Sequence, residues 1–171
     1  MEKTMVKNTI LLLLFATLFA CGKKDESKTQ AVAQKQQADQ QTAEEVEVLP
    51  NGEPAHITVQ HILIAFKGAP RIRGVERSKE QAQQLAYEVM MEARQGADFT
   101  ELMRKYSSDT GPGIYSLAND GVDKYNGEFS RRDMVPAFGD TGFSLEVGEI
   151  KVAAYDPMKS PFGWHIIKRL K

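Results

Sequence analysis

The chain has 171 residues, room for one ordinary domain plus extra segments, and its 22 Lys+Arg nearly balance 23 Asp+Glu. That balance speaks against a nucleic-acid binder. One cysteine excludes an internal disulfide, and with only three histidines no metal site is expected.

Lys3 and Lys7 precede an apolar run from Ile10 to Ala20. The run is about half the length a membrane-spanning helix needs. A positive head, a short apolar core and a small residue at the boundary predict a secretory signal over 1–20. The only cysteine, Cys21, follows at once, and Leu18-Phe19-Ala20-Cys21 resembles the bacterial lipobox. That resemblance implies that Cys21 takes a diacylglycerol thioether and anchors the chain to a membrane; two or three acyl chains hold stably where one is marginal. Gly22 is not the Asp that resembles an inner-membrane retention signal. The outer membrane is therefore the expected address in an envelope with two membranes, and the outer face of the cytoplasmic membrane otherwise.

Residues 21–55 form the next segment, rich in Lys, Gln, Ala, Asp, Glu and Thr, with almost no large apolar side chain before Val46. Such a stretch buries too little surface to offset its ordering entropy, so it is expected to be a tether. The folded domain is expected over 56–171.

Ile57 to Phe66 is β-branched and apolar on both faces, which suits a central strand. Gly68, Pro70 and Gly74, among four basic residues, predict a loop. Ser78 and Gln81 form a capping box ahead of Ala82, Leu85, Ala86, Val89, Met90 and Ala93 at helical spacing. Gly96 ends that helix, and Asp98 with Glu101 predicts a second box. It opens a short helix that turns Phe99, Leu102, Met103 and Tyr106 inward. Ser107 to Gly127 is rich in Gly, Asp and Asn and is expected to be a long loop. A short strand at 128–130, a helix opening at Pro136, a strand at 149–154 and a last strand at 162–170 complete an α+β domain.

His61 and His165 each fall mid-strand at inward positions. A buried imidazole needs hydrogen-bond partners, and either one taken alone is more often a satisfied core histidine than a site residue.

Four blocks follow in order: His61-Ile62-Leu63-Ile64; Gly96 to Leu102 with Lys105-Tyr106-Ser107-Ser108-Asp109; Met134 to Phe138 with Phe143-Ser144-Leu145 and Gly148-Glu149-Ile150; and Phe162-Gly163-Trp164-His165-Ile166-Ile167. Together they resemble the parvulin family of peptidyl-prolyl cis/trans isomerases. The resemblance implies an FKBP-like fold: a small antiparallel or mixed four-stranded sheet flanked by helices, in the order β-α-α-β-α-β-β. It implies a catalytic group of His61, His165, Asp109 and Ser160, with Met134 and Phe138 as walls of a proline pocket and Phe129 or Phe143 behind them. It also implies prolyl isomerisation of unfolded or extended proline-containing polypeptides, helping secreted or envelope proteins to fold without a cofactor. The alternative is a holdase of the same shape, without catalysis.

Two departures stand out. The family's Gly-Gly-Asp-Leu-Gly segment has no clear match in Asn119 to Gly127, so the third wall falls to Tyr115, Leu117 or Tyr125. The basic residues Lys67, Arg71, Arg73 and Arg77 lack the spacing of phosphate-directed parvulins, and no phosphorylated substrate is expected.

Overall fold

The computed structural model describes residues 47–171; the expected signal, Cys21 and the tether up to residue 46 lie outside the described residues. The elements are β1 (His56–Ile64), α1 (Lys79–Arg94), α2 (Phe99–Tyr106), β2 (Ile114–Ala118), β3 (Phe129–Ser130), a 3-10 turn (Arg131–Asp133), α3 (Pro136–Phe143), β4 (Ile150–Ala153) and β5 (Trp164–Arg169). They build one mixed sheet in the order β3-β2-β1-β5-β4. β1 runs antiparallel to both β2 and β5, β4 is antiparallel to β5, and only β2–β3 is parallel.

The α+β class is as expected, with one strand more than the four anticipated. The stretch expected to be a loop contains β2, whose five residues pair with His56 to Gln60. Its Leu117 is fully buried against β1 and α3, and this long-range burial overrides the loop-like flanks.

Residues alternate along β1, so the sheet buries both faces. Ile62 and Ile64 face Ala82, Ala86 and Val89 of α1. Ile57 and Val59 face Phe138, Phe143 and Leu145 at α3. The caps explain where the helices begin. Ser78 and Gln81 form the complete box. At Asp98 only half of the expected box forms, because Glu101 turns its carboxylate to Arg104 instead. Ser130 and Asp133 form a further box on the 3-10 turn, which sets Met134 directly before α3.

Candidate functional site

His61 and His165 sit on the α3 face of the sheet, on adjacent strands, at 3 % and 5 % exposure. Their Nδ1 atoms face each other at 3.5 Å. One of the two must be bare for that contact to hold, so at least one ring is neutral. Burial makes it His165, whose pKa is pushed down to about 3.

Asp109 is carried to this pair by backbone stitching. The Ser107 and Ser108 hydroxyls accept the Leu63 and Ala65 amides, and the Ser108 amide donates to the Leu63 carbonyl at 2.7 Å. The next residue, Asp109, then lies with Oδ2 3.3 Å from His61 Nε2, off the line of an aligned hydrogen bond. The neighbouring His61 imidazole and the Gly111 amide hold the Asp109 carboxyl down to about 2, against the opposing effect of burial.

Above the histidines opens a cavity of about 590 Å³, within the size range of small-ligand sites. Leu63, Ile72, Met134, Val135, Phe138 and Phe162 give it apolar walls, and Tyr115 closes one side. Phe138 stands perpendicular to His61 at 5.2 Å and to His165 at 5.5 Å. It is held there because the Ala137 amide donates to the Lys159 carbonyl, tying the start of α3 to the β4–β5 connection.

Not every expected site residue meets there. Phe143 is 2 % exposed and packs with Ile57, Val59 and Leu117, with the Arg131 guanidinium over its ring. It is a core residue rather than a cavity wall, because α3 turns it to the far end of the sheet face. Phe129 is 46 % exposed and touches the edge of Tyr115 at 5.8 Å, outside the cavity lining. Ser160 is fully buried, yet its hydroxyl donates to the Gly163 carbonyl at 2.8 Å. It braces the turn into β5 instead of joining the imidazoles, and His165 Nε2 has no partner. Of the three candidates for the missing wall, Tyr115 takes the place. Leu117 is in the core, and Tyr125 stacks on His56 at 4.1 Å while Glu128 bonds the same ring.

Arg71 and Arg73 stand at the mouth, and Ser108 and Thr110 join the lining. Sequence reasoning missed this use of the arginines; the positive φ of Arg71, 60°, that turns the loop there left no local sequence signal. Among the described residues, no group of three His, Cys, Asp or Glu side chains is gathered as a metal would require.

Comparison with known proteins shows the family and the fold. Residues 49–171 match the family described as PPIC-type PPIase domain. The chain is 37 % identical over 127 residues to the foldase protein PrsA of Oceanobacillus iheyensis, covering 74 % of this chain and 33 % of that protein. It is 35 % identical over 113 residues to the chaperone SurA of Methylobacillus flagellatus, covering 66 % of this chain and 22 % of that protein. It therefore spans at most about a third of these relatives. In fold it is similar to the peptidyl-prolyl isomerase ESS1 from Candida albicans (TM-score 0.52, 19 % identity, 84 % of this chain and 74 % of that one). It is likewise similar to TbPIN1 (TM-score 0.51, 22 % identity, 68 % of this chain and 98 % of that one).

Proposed function

Because the chain belongs to the PPIC-type PPIase family, we propose that it is an active peptidyl-prolyl cis/trans isomerase whose prolyl site is the cavity over His61 and His165. The supporting observation is the combination of apolar walls from Met134, Phe138, Leu63 and Phe162 with a buried imidazole floor.

Rotation about an X-Pro bond faces a barrier near 20 kcal/mol because the planar amide loses its resonance when twisted. No bond to the protein is needed; the site must hold the twisted amide better than the planar one. A prolyl ring seated between Met134 and Phe138 draws its amide out of water. That move disfavours the more polar planar form. The neutral His165 keeps positive charge away from the floor, and the His61–Asp109 contact fixes the other ring. Lowering the barrier by about 5.5 kcal/mol speeds rotation roughly 10⁴-fold. Asp109 acts through its field and its contacts, with no covalent intermediate.

The clients are proline-containing unfolded or extended polypeptides, consistent with relatives named as a foldase and a chaperone. Cys21 anchors the chain by lipid, and the polar segment after it holds the domain off an envelope membrane. Residues 47–55, expected to be tether, instead pack on the domain, with Ala55 fully buried and the Asn119 amide donating to its carbonyl. Incorporation of labelled fatty acid should be lost in Cys21→Ser. The non-catalytic holdase reading draws on the exposed rings of Phe129 and Tyr125.

The test is a protease-coupled isomerase assay of the full chain on an Ala-Pro peptide. Acceleration well above the uncatalysed rate supports the isomerase. No acceleration, with client aggregation still suppressed, gives the holdase instead.

A further inference from the structure

Tyr115 brings to the cavity something an aliphatic wall lacks: a hydroxyl. It lines the site within 5.3 Å of His61, ring to ring. No hydrogen bond occupies that hydroxyl among the described residues, although the ring itself is packed by Phe129, Phe138 and His61. Burial and the nearby Asp109 carboxylate raise its pKa, so it remains a donor at neutral pH.

The position of the hydroxyl is set by a missing side chain. A Cβ placed on Gly111 would lie 2.7 Å from the Tyr115 hydroxyl and 3.3 Å from each Asp109 carboxylate oxygen. Donor and acceptor thus flank one small gap, and only hydrogen on Gly111 leaves it open. The φ of Gly111 is not in the left-handed region, so backbone conformation does not demand glycine there; the space does. Asp109 spends Oδ1 on the Gly111 amide at 3.0 Å and Oδ2 near His61. A carboxylate offers about four lone-pair sites, so it retains capacity to accept.

An extended residue presents its N–H and C=O to the same side, as in a hydrogen-bonded antiparallel pair. We propose that Asp109 and Tyr115 together grip one client residue next to the proline by its main chain, the carboxylate accepting its N–H and the phenol donating to its C=O, across the gap that Gly111 keeps clear. The grip is indifferent to side-chain identity. It recognises an extended backbone beside a proline, and a folded client, whose amides are already paired, does not satisfy it. This deepens the reading of the cavity as the prolyl site and rests on it.

Binding, rather than turnover, tests the grip. The probes are a fluorescent Ala-Ala-Pro-Phe peptide and two analogues, in which the N–H of the residue before or of the residue after the proline is replaced by an ester oxygen, titrated against the full chain. A neutral hydrogen bond is worth about 3- to 10-fold in affinity. Tyr115→Phe is expected to weaken the parent peptide by that factor and to raise KM while leaving kcat nearly unchanged. Gly111→Ala, whose Cβ fills the gap and pushes the phenol hydroxyl aside, is expected to weaken it similarly. One ester analogue, lacking the N–H that the carboxylate accepts, should bind the wild type 3- to 10-fold more weakly, and that penalty should vanish in Asp109→Ala. Parent affinity unchanged in both Tyr115→Phe and Gly111→Ala overturns the grip, as does an ester penalty that persists in full without the carboxylate. A wild-type chain that binds no proline peptide overturns the prolyl site and the grip together. Binding without faster rotation overturns only the isomerase.

Discussion

His165 is kept uncharged by the same burial that presses it against His61, 3.5 Å away between Nδ1 atoms. The sign of its effect on stability follows from the direction of the shift. In the unfolded chain this imidazole takes a proton near 6.5, and in the fold near 3. Between those values the unfolded state binds more protons, so stability is complete above 6.5 and falls as the pH drops, by about 1.4 kcal/mol per pH unit within the window. Asp109 acts in the same direction lower down, its contact being lost as pH falls from 3.8 towards about 2. Urea unfolding at pH 7, 5.5 and 4.5 should show the midpoint falling, and His165→Gln should flatten that dependence. Equal pH slopes for the two proteins contradict the assignment.

Wall and core are separable by mutation. Met134 is half-buried on the cavity, whereas Phe143 is sealed in the core. Met134→Ala should lower kcat/KM by about tenfold with a change in stability near 1 kcal/mol. Phe143→Ala should cost about 3–5 kcal/mol of stability while the folded fraction keeps its kcat/KM. Met134→Ala combined with Phe138→Ala should remove most catalysis. Full activity in that double variant would exclude this cavity as the catalytic one.

Ser160→Ala distinguishes a brace from a member of the imidazole network. The variant strips the Gly163 carbonyl of its buried donor, at about 1–3 kcal/mol. Thermal melting should register the loss. The pH profile of kcat/KM should stay where it was; a displaced profile would return Ser160 to the histidine pair.

Gly163 should be close to irreplaceable. Its φ is 143°, and a Cβ there would lie 2.3 Å from the Ile64 carbonyl oxygen, inside the pairing that aligns β1 with β5. Gly163→Ala must shift one strand against the other, which would also part His61 from His165. Loss of soluble protein, or a melting temperature lowered by at least several degrees, is expected; a native melt argues that the two strands can slide.

The sequence disclosed what local chemistry writes. Ser78 with Gln81, Pro136 at the first turn of α3, and the β-branched run of β1 announce their elements within a few residues. β2 was hidden because its strand character depends on partners in β1 rather than on its Gly- and Asp-rich flanks. The same distance dependence hid the site's outline. His61, His165, Asp109, Met134 and Phe138 converge as the resemblance implied, but whether Phe143 or Tyr115 faces the cavity depends on how α3 and β2 are rotated over the sheet. Six-atom rings look alike in a sequence whichever way they point. Ser160 misled for a related reason: a buried hydroxyl takes the nearest carbonyl, three residues on, before a distant ring.

The strand order carries a consequence for how the domain comes into being. β1, first of the strands described, lies in the middle, and its neighbour β5 is the last. Central pairing therefore waits until nearly the whole domain has been synthesised, and closing so long a loop is entropically slow. An incomplete chain lacks half of the imidazole floor, so a nascent or proteolytically shortened domain has no working cleft with which to seize its neighbours. Competence arrives in one step, together with the fold.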